Sequence, residues 1–163
     1  MADADRVRIR RATPADADAL GKLGAILVRA HHAFEPERFF IFDPIEPGYG
    51  RFLLSTIDDP AAVMRVAEID GLGVVGYVFA RIEKQDWSRL LEGHGKIHDV
   101  AVDPRARRRG VARALLVAAI EELKALGAKR LLADTAAKNA DAQALFASLG
   151  FGPTMIEQFK SVD

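Results

Sequence analysis

One run constrains the fold more than any other: KIHDVAVDPRARRRGVARALLVAAIEELKALG, residues 96–127. Its first part, 96–104, reads as a strand ended by Pro104, which cannot donate to a ladder. Its last part, 110–127, is the strongest helix in the chain. Leu115, Ala119, Leu123 and Leu126 keep one face apolar, and Gly127 is a natural C-terminal stop. AKRLLADTAA, 128–137, then reads as a strand. Strand, helix and strand in that order close as a right-handed crossover, which makes the two strands parallel.

The rest of the chain builds around that unit. RVRIRRA, 6–12, sets Val7 and Ile9 in alternation with Arg6, Arg8 and Arg10, a first strand. A helix over 13–34 opens on Thr13 as N-cap, Pro14 at the first helical position and Asp16 as a capping carboxylate. Leu20, Leu23, Leu27 and Ala30 form its apolar stripe. Residues 35–50 are irregular and rich in aromatics and proline, and a short helix follows over 49–59. Runs 62–70 and 72–83 are strands joined near Asp70-Gly71, so they form a hairpin; 84–95 is a loop. A helix over 139–150 starts at Asn139 and stops at Gly150, and 153–162 is expected to be a final strand. The order is β-α-α-β-β-β-α-β-α-β: an antiparallel meander of strands two to four, extended by the crossover, in a mixed sheet with helices on both faces.

At 163 residues the chain is expected to be one domain, 1–163. Lys plus Arg and Asp plus Glu both number 23, which argues against a general nucleic-acid binder. With no cysteine, disulfides, thiolate metal sites and cysteine nucleophiles are excluded. The opening MADADRVRIRR has no apolar core of a leader, and no run is long enough to span a membrane, so the expected compartment is the cytoplasm, with no membrane partner. The adjacent His31-His32 pair lacks helical ligand spacing, and no metal is expected.

Four arginines, Arg105, Arg107, Arg108 and Arg109, crowd the turn between strand four and the long helix. A helix N-terminus exposes unpaired amides and a partial positive charge, where anions are often held. Gly110 and Ala112 let a phosphate approach the backbone, with the arginines as a positive rim. A solvated basic turn is the plain alternative. The loop is neither a Walker loop nor a Gly-x-Gly-x-x-Gly dinucleotide turn.

Val102-Asp103-Pro104, then Arg107-Arg108-Arg109-Gly110-Val111-Ala112, resembles the signature Arg/Gln-x-x-Gly-x-Gly/Ala of the GNAT superfamily of acetyl-CoA-dependent N-acetyltransferases. Asn139, Ala142, Phe146, Gly150 and Phe151 resemble its second signature, with phenylalanine at 146 where the family has tyrosine. The element order is similar across the whole chain. The resemblance implies an α/β fold of the α+β type: a six- to seven-stranded mixed sheet, largely antiparallel, whose parallel strands four and five splay apart. It implies acetyl-CoA as co-substrate, its pyrophosphate on the amides of Arg107, Arg108, Arg109, Gly110, Val111 and Ala112, with Arg113 beside them. Backbone groups of Val100, Ala101 and Val102 would pair with the pantetheine arm. Asn139 and Phe146 would flank it.

The implied reaction passes acetyl to a primary amine, of a small molecule or a peptide, in a monomer or a homodimer. An amine must lose a proton to attack, an oxyanion needs a donor such as the Val100 amide, and the thiolate must leave. His98 and Asp99 are the candidate bases, because they precede that amide and polyamine acetyltransferases of the family carry an acidic pair there. Successive strand residues face opposite ways, so both serve one site only if a bulge intervenes. Glu83 and His94 are weaker candidates. With Phe146 unable to donate a proton, Tyr77 is the candidate acid; a thiolate also leaves tolerably unaided. His31, His32, Phe34, Phe39, Phe40, Phe42 and Tyr49 are the expected acceptor lining. A catalytically silent module that binds acetyl-CoA, motivated by Phe146, is the alternative reading.

Overall fold

The computed structural model describes residues 6–162; the outermost residues of the expected 1–163 unit lie outside the described residues. The strands are β1 (Val7–Arg11), β2 (Ala62–Ile69), β3 (Gly73–Glu83), β4 (His94–Val102) and β5 (Leu131–Ala133). The helices are α1 (Ala17–Phe34), α2 (Ile45–Leu54), α3 (Val111–Ala125) and α4 (Ala140–Ser148). The five strands form one sheet in chain order, antiparallel from β1 to β4 and parallel between β4 and β5. The expected crossover is thus present, and so is the hairpin, which turns at Gly71 with a positive φ of 79°.

Alternation along the strands splits the core in two. One set, including Val63, Val78, Ala80 and Ile97, packs under α3 and α4 against Leu115, Leu116, Leu123 and Phe146. The other, including Val66, Tyr77, Phe79 and Ala101, packs under α1 and α2 against Leu20, Leu23 and Leu53. Both faces of the sheet are therefore covered. The entry to α1 is fixed where expected: Asp16 accepts from the Thr13 amide at 2.8 Å and, through both oxygens, from the Arg10 guanidinium at 2.8 Å. That guanidinium holds the buried carboxyl below its ordinary range.

Two elements differ from expectation. The second helix begins at Ile45 rather than 49, although Pro47 and Gly48 lie inside it. Pro47 falls in the first turn, where no amide has a partner to lose. The expected sixth strand, 153–162, is not formed: among the described residues the sheet has five strands, not six or seven, and 151–162 carries no ladder. Its apolar residues Met155, Ile156 and Phe159 are exposed, so the alternation that suggested a strand has no sheet face to bury. An ion pair of Glu157 with Arg38 holds this segment instead.

Candidate active site

β4 is the axis of the site. Its ladder with β5 is short, pairing Gly95 with Leu131, Lys96 with Leu132 and Ile97 with Ala133. Beyond Ile97, β4 runs on to Val102 with no β5 partner. The main-chain groups of Val100, Ala101 and Val102 on that side are thus an open strand edge. Such an edge can pair with an extended, amide-bearing chain. The ladder ends here because β5 itself ends at Ala133.

The arginine loop closes the C-terminal end of that edge. Asp103 caps a single turn over Pro104–Ala106 by accepting from the Arg105 amide at 2.8 Å. Arg108 and Gly110 then take left-handed backbone, with φ of 64° and 75°. A Cβ on Gly110 would meet no atom within 4 Å, so the space over this residue is open and its glycine is required by φ. α3 begins at once, with Val111 buried and the polar groups of its first turn facing the loop. Arg107 donates weakly to the Val102 carbonyl at 3.5 Å, and Arg113 reaches Ser148 on α4 at 2.9 Å. Residues 107–113 follow directly on the C-terminal end of the strand that carries this edge. On α4, Asn139 accepts from the Ala142 amide as the helix cap, while Phe146 is buried with its ring 5.2 Å from that of Phe151.

The opposite face carries the titratable groups. The β3–β4 register slips between Phe79 and Ala80: Phe79 pairs with Asp99 and Ala80 with Ile97, leaving His98 as the extra residue of a bulge. The bulge turns both His98 and Asp99 toward the α1/α2 side. His98 stacks on Phe79, with ring centroids 5.1 Å apart and planes 19° from parallel. Its Nε2 lies 2.8 Å from Glu83 Oε1. In the neutral tautomer that donates Nε2–H to Glu83, Nδ1 keeps a lone pair.

Asp99 sits deeper. Its Oδ2 accepts from Tyr49 at 2.5 Å and from Tyr77 at 3.2 Å. Its Oδ1 accepts no hydrogen bond among the described residues and is not one of the buried unpaired atoms, so it is open to the site. Burial raises the Asp99 carboxyl above its ordinary value, and the two phenols oppose the shift only in part. Burial, then the Asp99 charge, pushes both phenols upward. Tyr77 is fully buried. Tyr49 reaches Asp99 because its ring lies over Gly24 of α1, where a Cβ would fall 2.2 Å from the ring. Sequence reasoning placed Tyr49 only in a general lining and did not find its bond to Asp99. The signal was there in Gly21 and Gly24, one turn apart on α1, which mark a close helix approach.

Beside His98 a cleft of about 330 Å³ opens between Phe52, Phe79, Asp59, Arg81 and Glu83. The Tyr49, Phe52, Phe79 and His98 rings join it to Asp99, with successive centroids 5.5, 5.9 and 5.1 Å apart. His31 and Phe39 pair at 4.9 Å, while Phe40 points into solvent at 77% exposure. His94 is buried as the first residue of β4 and takes no part in this cluster's hydrogen bonds.

Comparison with known proteins bears on the family and the fold. A ribosomal protein bS18-alanine N-acetyltransferase of Escherichia coli is 42% identical over 71 residues, 44% of this chain and 48% of the relative. The chain therefore spans about half the length of that relative and of its enterobacterial counterparts. An N-alpha-acetyltransferase of Sulfurisphaera tokodaii is 30% identical over 151 residues, 88% of this chain and 79% of that one. In fold, a Bacillus halodurans protein matches with a TM-score of 0.81 at 20% identity, covering 95% of this chain and 99% of that one. An aminoglycoside N-acetyltransferase solved with CoA matches at 0.70 and 20% identity, covering 96% and 94%. The model of the acetyltransferase (GNAT) family matches residues 27–151, and the chain belongs to that family.

Proposed function

We propose that this protein transfers acetyl from acetyl-CoA to a primary amine by direct attack in a ternary complex. The observation that carries the reading is the bulge at His98, which puts two proton-accepting groups beside the open edge of β4. The Gly110 loop stands at the far end of the same edge. Acetyl-CoA supplies the thioester. The amides of residues 107–112 hold its pyrophosphate, and the edge at Val100–Val102 takes the arm, so its acyl end lies near Asp99.

The chain's own groups then divide the work. Asp99 Oδ1 binds the acceptor ammonium and orients it. His98 Nδ1 takes the proton, and Glu83 on Nε2 fixes the tautomer and stabilises the imidazolium, as a carboxylate does for the histidine of a hydrolase triad. The amine nitrogen attacks the carbonyl carbon, the Val100 amide is our candidate donor to the oxyanion, and the carbon–sulfur bond breaks. Tyr77 we assign to holding Asp99 rather than to protonating the thiolate, because burial makes its phenol a poor acid. The thiolate leaves without a side-chain acid, and the second proton of the attacking nitrogen passes to its sulfur as the amide forms. The relatives named for N-terminal acetylation support a peptide α-amine as the acceptor.

CoA release with an amine panel tests the reading. His98→Ala is expected to lower turnover by about 10²–10⁴-fold, the usual range for a lost general base, with acetyl-CoA binding retained. Unchanged turnover in both His98→Ala and Asp99→Asn would remove the base assignment. Tight acetyl-CoA binding with no turnover of any amine would favour the silent module.

A further inference from the structure

The open edge of β4 is bridged at its acyl end. α1 packs against β3 and β4, so its C-terminal end lies over the sheet on the α1/α2 face. The stretch 134–139 leads from the end of β5 to α4 and lies on the far side of the edge. Contacts between these two parts therefore cross the edge. Lys138 Nζ donates to the carbonyl of Phe34, the last residue of α1, at 3.1 Å and pairs with Glu35 Oε1 at 2.9 Å. Arg38 pairs with both oxygens of Glu157 on the segment after α4, with Nη2 3.0 Å from Oε2. Asp134 adds its charge to that pair and takes Lys96 of β4 at 2.5 Å.

The turn that carries Glu35 and Arg38 is stiff in itself. The Arg38 and Phe39 amides donate to the Glu35 carbonyl at 3.1 and 2.9 Å, and His32 Nδ1 donates to the Phe39 carbonyl at 2.8 Å. The Phe39 ring packs edge-on against His31, 4.9 Å away. The turn thus moves as one piece. Its outward ties are of another kind, because the Lys138 and Arg38 side chains are 61% and 40% exposed. Exposed ion pairs are individually weak and are screened by salt. A stiff turn on weak ties can swing open without unfolding.

We propose, on the strength of the transferase reading, that residues 34–39 form a latch over the acyl end of the cofactor arm, held shut across the β4 edge by Lys138 and Glu157. With the latch shut, the arm is covered on the α1/α2 face and leaves lengthwise past the Gly110 loop. With it open, the arm leaves sideways. The cleft beside His98 lies on the β3 side of the strand and stays accessible in both states. The experiment loads the protein with radiolabelled acetyl-CoA and follows its dissociation into a chase of unlabelled acetyl-CoA. Lys138→Met and Glu157→Gln are each expected to raise the rate about two- to fivefold, the size of an exposed ion pair, with the ratio to wild type falling toward one at about 1 M salt. Arg38→Glu combined with Glu157→Arg reverses the pair and is expected to return the rate toward wild type, which a merely structural role would not do. The chain has no cysteine, so Glu35→Cys with Lys138→Cys supplies its only two thiols. Joining them with a short bismaleimide after loading is expected to slow release below the wild-type rate. Unchanged rates in both single variants, or bridged protein that releases acetyl-CoA as fast as wild type, would overturn the latch and leave the transferase reading intact. Wild-type protein that binds no acetyl-CoA would overturn both.

Discussion

Asp99 shows how one residue can be costly to the fold and useful to the site. Its carboxyl is raised because burial outweighs the two phenol hydrogen bonds. A carboxyl raised by folding binds its proton more tightly in the native state than in the unfolded chain. Its contribution to stability is then most favourable below the unfolded value, about pH 3.9, and falls as pH rises through the folded value. A neutral asparagine side chain at this position would carry no such penalty. Asp99→Asn is therefore expected to gain Tm relative to wild type between pH 4 and pH 7, while acetylation falls. Calorimetry of both proteins across that range checks the sign; a difference that is flat or runs the other way would contradict the account. His98 and Asp99 were both legible as candidates from their place on β4. Their shared face was not, because a bulge is a slip of register between two strands and leaves no mark in either strand's own pattern. The direction of Tyr77 was equally hidden, since an alternating strand tells which face a residue takes but not what its hydroxyl meets.

Between elements, the decisive contact is α1 on α2. Gly21 lies under the Glu46 carbonyl, where a Cβ would come within 2.4 Å, and Gly24 lies under the Tyr49 ring. These two positions let the helices close and carry the Tyr49 hydroxyl to Asp99. Gly24→Ala is expected to destabilise by about 1–3 kcal/mol through overpacking, and both it and Tyr49→Phe are expected to lower turnover. Denaturant titration and CoA release, measured together, test the link; a destabilised variant with full turnover would show that Tyr49 does not position Asp99. Helix and strand types were legible from apolar period, caps and stops, and the crossover followed from their order. The start of α2 was obscured by Pro47 and Gly48, which read as loop residues unless the first turn and the close approach are known. The segment after α4 failed for the opposite reason. Met155, Ile156 and Phe159 have strand character, but a strand needs a neighbour, and pairing is decided by the rest of the molecule.

Across the whole molecule, the sheet separates two tasks. The α3/α4 side and the Gly110 loop offer backbone amides to an anion at the C-terminal end of β4. The α1/α2 side offers Asp99, His98 and the aromatic cleft farther back along the same strand. Between them, the edge of β4 beyond Ile97 is paired with β3 on one side and has no β5 partner on the other. A charge-balanced chain with one basic loop fits the proposed division, in which the loop meets a single phosphorylated arm rather than a long polyanion. The direct test is mass spectrometry of a peptide with a free N-terminus after incubation with acetyl-CoA and the protein. The account predicts a gain of one acetyl group on the α-amine, matched by an equal amount of released CoA. Unmodified peptide, whether CoA stays acylated or is freed with acetate, would contradict it.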